Sequence, residues 1–200
     1  MIRGLLRAAT AATLVAGLVG VVRQRTESQQ VRRGTLAPAS SALHLPPRRA
    51  AGPVAERLAS WVPEPPGSEV GTWVGRAWAS PLTVIGLFLA LASGTRPVWS
   101  PQHQCWVAEG VRGASGLALG LVGADANAVG HVVLCRLPAA PPSLLAHELV
   151  HVRQAERFGP LLFPLYLWLG ARYGYRDHPL ERAARLGARQ RRRAHAPGDS

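Results

Sequence analysis

The amino-acid sequence predicts an α+β protein: one small domain of short antiparallel strands and helices, preceded by one or two membrane helices. Three observations lead there. Residues 77–95 form an uncharged apolar run bracketed by Arg76 and Arg96; residues 97–137 alternate short apolar segments with Gly and Asn breaks; residues 143–157 have helical periodicity and stop at Gly159-Pro160. A chain of 200 residues holds one modest domain plus tails, and 21 Gly and 17 Pro beside 48% apolar content fit short elements with frequent breaks.

All 23 basic residues are arginine, and the formal net charge is +12. The arginines cluster near the ends, at Arg23, Arg25, Arg32 and Arg33 and again at Arg189 and Arg191 to Arg193. No recognition helix or aromatic-interleaved basic strand accompanies them, which argues against a nucleic-acid partner. Anionic lipid head groups suit the charge better, because the apolar segments imply a nearby membrane. Cys105 and Cys135 are too few for a disulfide scaffold and lack Cys-x-x-Cys spacing. They pair if their segments are adjacent strands in an oxidising compartment, and otherwise are two half-buried thiols.

Taken in order, residues 1–22 start with Arg3 and Arg7 and continue into an apolar stretch, the layout of a signal-anchor, a signal peptide or an N-terminal membrane helix. Residues 23–70, rich in Arg, Ser, Pro and Ala, read as a disordered linker, with two helical turns over 54–62 before Pro63, Pro65 and Pro66. Residues 77–95 have the length, flanking arginines and end tryptophans (Trp78, Trp99) of a transmembrane helix, with Ser80 as cap and Pro81 in the first turn. The other reading of that run is a buried core helix. Three strands are expected at 105–109, 117–122 and 128–135, after which Pro138, Pro141 and Pro142 lead to Ser143 as the cap of the next helix. The run 161–170, ten apolar residues around Pro164, is either a re-entrant or interfacial helix or a core helix under the site. A basic tail, 189–200, follows a domain spanning 97–188.

The chemistry concentrates on the helix from Ser143. At about 100° per residue, His147 and His151 lie roughly 40° apart and Glu148 falls about 60° from His151, while Leu145, Leu149 and Val152 occupy the opposite side. Two imidazoles one turn apart both reach a tetrahedral zinc ion at about 2.0–2.1 Å, and the intervening carboxylate is placed to hold a zinc-bound water as general base. A third protein ligand is expected. Glu156 lies about 180° around the helix from His147 and faces the wrong way. Glu181, in the first turn of a helix capped by Asp177 or His178 and opened by Pro179, is the better candidate, its other role being a capping or dipole-stabilising carboxylate. His178 is a less suitable ligand, and His131 reads first as a plain polar strand residue.

The run His147-Glu-Leu-Val-His resembles the His-Glu-x-x-His motif of the zincin metallopeptidases, and Glu181-Arg-Ala-Ala resembles the Glu-x-x-Ala second motif of the gluzincin branch, particularly its membrane-bound members. The segment 147–184 is also similar to a group of bacterial His-Glu-x-x-His proteins with a Tyr-Arg-Asp-Asn-Pro-Phe-Glu-like ending, here Tyr175-Arg-Asp-His-Pro-Leu-Glu. The resemblance covers about 40 of 200 residues. It implies a small zincin-like domain with His147, His151 and Glu181 as zinc ligands and Glu148 as the catalytic base. It also implies that 129–135 is an edge strand aligning a peptide by β-augmentation. The sequence departs from the family in carrying Arg185 where an aspartate is expected, and only Tyr173, Tyr175 and Arg176 are candidates for stabilising an oxyanion.

The expected function is therefore that of a zinc metalloendopeptidase of the bacterial cytoplasmic membrane, acting on a peptide or membrane-protein substrate. The side of the membrane is open. The alternatives are a catalytically inactive, metal-binding membrane adaptor and a basic lipid- or nucleic-acid-surface protein whose motif is accidental.

Overall fold

The structure is a computed structural model that describes residues 2–35 and 52–194. It contains, in chain order, α1 (Ile2–Arg32), α2 (Pro53–Ser60), α3 (Glu69–Ala92), β1 (Val98–Ser100), β2 (Cys105–Ala108), α4 (Gly113–Val122), β3 (Ala126–Val129), β4 (Val132–Cys135), α5 (Pro142–Phe158), α6 (Leu162–Asp177) and α7 (Pro179–Ala194). Two compact units divide the chain, one of Trp61–Leu162 with Ala183–Ser200 and one of Met1–Ser60 with Phe163–Arg182.

The first unit is built on a four-stranded sheet of order β1-β2-β4-β3. The outer pairings, β1 with β2 and β3 with β4, are antiparallel, as expected; the central β2–β4 pairing is parallel. That pairing follows from α4, which carries the chain across the sheet between β2 and the β3–β4 hairpin. β4 is buried along its whole length, as an interior strand covered on both faces should be. Val132 and Leu134 join Ala90 of α3 and Leu119 of α4 in one core, and Val133 and Cys135 join Leu149 and Val152 of α5 in the other.

Several expectations are corrected here. The segment 117–122 is helical, not a strand: Leu119 is buried while Leu117 is 70% exposed, so its leucines do not share a face as alternation requires. Its Ala and Leu content favours helix, and Gly123 ends it. The strand expected over 128–135 is a hairpin, β3–β4, closed by the two-residue loop Gly130-His131. Gly130 has φ +61 and His131 does not share it, the pattern of a type II′ turn. Residues 132–135 lie between β2 and β3, so their backbone edges are already paired and the proposed edge strand is an interior one. Cys105 and Cys135 do sit on adjacent strands, but in the β2–β4 register Leu134 faces Ala108, which puts the two cysteines about 13 Å apart along the strands. No disulfide spans that distance, and both are free thiols. Strand β1 had no signal in the sequence beyond three residues of no clear periodicity.

Helix α3 begins well before the expected start: Ser68 is its cap, accepting the Gly71 N–H at 3.1 Å. Ser80 and Pro81 lie inside the helix. Pro81 cannot donate to the Ala77 carbonyl, and the Ser80 hydroxyl does so instead at 2.8 Å, which lets the helix run through the proline. The face turned to the sheet and α5 carries the small residues Gly75, Ala79, Gly86 and Ala90, with Leu82 among them, at helical spacing. At Gly86 the approach is so close that a Cβ would stand 2.6 Å from the Val129 carbonyl oxygen and 2.8 Å from Val132 Cβ. Large apolar side chains, Trp73, Val74, Val84, Ile85, Phe88 and Leu91, point outward on the same helix. Among the described residues α3 is the one helix long and apolar enough to cross a membrane.

In the second unit α1 continues beyond residue 22 to Arg32, so the start of the expected linker is helical, as is α2; residues 36–51 of that linker lie outside the described residues. Gly17 and Gly20 of α1 face Leu167 and Ala171 of α6. Arg23 donates to the carbonyls of Ala171 and Arg172 at 2.5 and 3.1 Å, and Glu27 accepts the Arg176 N–H at 3.0 Å. These two residues, one turn apart on α1, satisfy the backbone groups released where α6 breaks at Gly174. α7 runs through 189–194 of the expected basic tail, and 195–200 lie outside the described residues.

Candidate metal centre

α5 carries the central motif, and its sequence explains its limits. Pro142 opens the first turn behind Pro141, so Ser143 is not the cap; Gly159, at φ 54, ends the helix. Leu145, Leu149 and Val152 are packed into the core beneath the sheet. That anchoring fixes the helix rotation and sends His147 and His151 to another face.

The two imidazoles meet there. Their Nε2 atoms stand 3.3 Å apart, with ring centroids at 5.0 Å. Two nitrogens at about 2.05 Å from one tetrahedral ion are separated by about 3.3 Å, so the donor atoms already have the spacing zinc requires. His151 is buried, and its Nδ1 lies 2.9 Å from Oε1 of the fully buried Gln154. An amide oxygen only accepts, so Nδ1 holds the proton and Nε2 presents its lone pair. Gln154 was not anticipated; its position three residues after His151, on the same helix face, was the available signal. Glu148, one residue on from His147, is 3% exposed.

Glu156 is engaged elsewhere. Its Oε1 lies 3.0 Å from His131 Nε2 and accepts from Arg153 Nη1 at 2.6 Å. His131 in turn contacts the Thr83 hydroxyl of α3 through Nδ1 at 3.3 Å, and its N–H donates to that oxygen at 3.1 Å. Burial alone would raise the Glu156 carboxyl, but the His131 hydrogen bond and the Arg153 charge outweigh it and hold the group below the usual carboxylate range. His131 is thus part of a buried ionic cluster joining α3, the hairpin and α5, and Glu156 is not a partner of the imidazoles. Neither cysteine supplies a thiolate readily. Burial pushes the Cys105 thiol up to about 11, against a smaller opposing effect of Arg153. Burial, with the charges of Glu109, Asp125 and Glu148, also raises Cys135.

Glu181 belongs to the other unit, in the first turn of α7. It is buried, and its Oε1 accepts the Tyr166 hydroxyl at 2.6 Å. Tyr166 lies in the apolar run 161–170, where nothing in the sequence singled it out. His178 caps α7 through its carbonyl, which accepts the Arg182 N–H at 2.9 Å, and its Nε2 donates to the Tyr166 carbonyl at 3.0 Å. With its ring stacked on Tyr166 at 4.3 Å, His178 braces this turn and its Nε2 is committed to the backbone. Arg182 pairs with Glu56 at 3.0 Å, tying α7 to α2. The oxyanion candidates Tyr173, Tyr175 and Arg176 flank the Gly174 break in the same unit, where the Tyr173 hydroxyl accepts from Arg172 Nε at 3.3 Å.

The structure therefore brings His147 and His151 together, carries Glu148 next to His147 on α5, and braces Glu181 in the first turn of α7. Compared with known protein families, curated proteins and solved structures, the chain matches none.

Proposed function

We propose that the protein is a membrane-associated, zinc-dependent metallopeptidase in which His147, His151 and Glu181 hold the metal and Glu148 is the general base. The observation that carries this reading is the 3.3 Å spacing of the two Nε2 atoms, with His151 oriented by Gln154. The motif spacing and the Tyr166 hydrogen bond that orients the Glu181 carboxylate support the ligand set. Zinc bound there would acidify a water molecule and polarise a peptide carbonyl. Glu148 takes the proton of the attacking water and passes it to the amide nitrogen as the C–N bond breaks, so that water divides between the new carboxylate and amine. The outward apolar face of α3 and the arginine-rich composition support placement at an anionic membrane surface.

Arg185, standing where the gluzincin pattern has an aspartate, favours a second reading: a protein that binds metal at this site as a membrane adaptor and does not hydrolyse. Detergent-solubilised wild type and Glu148→Gln separate the two. The peptidase reading expects zinc in both and casein or peptide cleavage in the wild type alone, reduced at least about 100-fold in the variant. Zinc in both with no cleavage in either supports the adaptor, and equal cleavage in both eliminates Glu148 as the base.

A further inference from the structure

Helix α3 has two faces of opposite character, and together they fix how it can meet a lipid bilayer. At about 100° per residue, its exposed apolar residues, among them Val70, Trp73, Ile85, Phe88 and Leu91, fall within an arc of about 140°. The buried residues of the same helix, Gly75 to Ala90, occupy an arc on the other side of the axis. Between Val70 and Leu91 the outer face carries no charge. Arg76 lies off it, with its guanidinium 5.5 Å over the Trp99 ring and bonded to Gln104. The Ser80 hydroxyl, at the edge of the face, donates to the Ala77 carbonyl. A protein partner would find almost nothing to hydrogen-bond there, whereas protein interfaces carry about one hydrogen bond per 100–200 Å². Acyl chains require none. The net charge of +12, with Arg96 exposed just past the helix, complements anionic head groups.

The inner face sets the orientation. A Cβ on Gly75 would stand 3.2 Å from the Glu156 Cβ of α5, and the Thr83 hydroxyl accepts the His131 N–H. Gly86 lies against the Val129 carbonyl and Val132, and Ala90 packs with Ala108 and Leu134. From Gly75 to Ala90 the helix advances about 22 Å, most of the roughly 30 Å hydrocarbon thickness of a bilayer. An α3 perpendicular to the membrane would therefore draw α5, the edge strand β3 and the ionic cluster of His131, Arg153 and Glu156 to hydrocarbon depth. Open sheet edges do not occur there, and charged groups are costly. With α3 parallel to the surface, the same elements stay on the aqueous side and the apolar arc alone meets lipid.

We propose that α3 is an in-plane anchor: it lies in one leaflet of an anionic phospholipid bilayer, with the face from Val70 to Leu91 about 5–10 Å into the acyl boundary, and does not cross it. This rests on the membrane placement proposed above and is independent of metal binding and hydrolysis.

The test is spin-label EPR on the full-length protein reconstituted in vesicles of phosphatidylcholine and phosphatidylglycerol, with single labels at Val70→Cys, Val84→Cys or Leu91→Cys. These positions are exposed, and the buried native thiols Cys105 and Cys135 stay unlabelled in the folded protein. Depth is read from relaxation of the label by oxygen relative to relaxation by a water-soluble nickel chelate. An in-plane α3 places all three labels at one level, about 5–10 Å below the head groups. A spanning α3 separates Val70 from Leu91 by about 32 Å along the membrane normal and sets Val84 about 10 Å deeper than the nearer end. That graded profile overturns the inference and leaves the membrane placement intact. Labels fully open to the nickel chelate in vesicle-bound protein overturn it too. So does spin–spin broadening between copies with the labels shielded from both reagents, which identifies a second copy of the chain as the occupant. Parent protein that fails to float with the vesicles in a density gradient overturns the membrane placement itself, and the inference with it.

Discussion

Replacing Gln154 with leucine probes the proposed metal site without touching a proposed ligand. Gln154 is fully buried, and its Oε1 is 2.9 Å from His151 Nδ1. Leucine has similar volume but no acceptor, so the Nδ1–H loses its partner, and the imidazole is no longer held in the tautomer and rotation that aim Nε2 toward His147. Partners of this kind contribute about 10–100-fold to metal affinity, equivalent to about 1.4–2.7 kcal/mol. The unpaired buried N–H adds a cost of about 1–3 kcal/mol to the apoprotein fold. Competition titration against a chromophoric zinc chelator measures the first effect, and thermal unfolding of the metal-free protein the second. Gln154→Glu, which offers a stronger acceptor, should hold affinity at or above that of the parent. Zinc affinity within about twofold of wild type for a folded Gln154→Leu would refute the argument that this hydrogen bond positions the imidazole.

Gly86→Ala should destabilise the protein by about 1–3 kcal/mol, read as a lower Tm in detergent, because its Cβ would meet the Val129 carbonyl at 2.6 Å. The ionised Glu156 has a folded-state pKa below its ordinary 4.5, so its contribution to stability is present above that value and is lost as pH falls through the lowered one. A stability–pH curve should therefore fall less steeply on the acid side in Glu156→Gln than in wild type, and parallel curves would contradict the ionic cluster. Both cysteines should react with Ellman's reagent only after denaturation, with no reductant needed; a protein with no titratable thiols would contradict the β2–β4 register.

The parts of the fold legible in the sequence are those whose signals are local. α5 announces itself through its apolar stripe and through Pro142 and Gly159, and helical phase alone separates Glu156 from the imidazoles. The misread parts depend on context. The leucines of α4 alternate in sequence, yet only burial distinguishes Leu119 from Leu117. The hairpin loop Gly130-His131 lacks the Asn-Gly or Asp-Gly signature of type I′ turns and carries only the leading glycine of a type II′ turn, set within a run of apolar residues. Ser80 looks like a cap because it precedes proline, when in the structure its hydroxyl compensates for that proline within a longer helix. The supports of the site were the least legible: Gln154 and Tyr166 gain meaning only from what folding places beside them. The ionic cluster of Thr83, His131, Arg153 and Glu156 draws on three elements far apart in sequence, and no local pattern could join them.

The central claim is that His147 and His151 share one metal ion, and elemental analysis of the purified full-length protein tests it most directly. Wild type should carry about one zinc per chain, and the folded His147→Ala/His151→Ala variant should carry essentially none. A wild-type protein that binds no zinc when offered it, or a double variant that retains the full complement, would contradict the account.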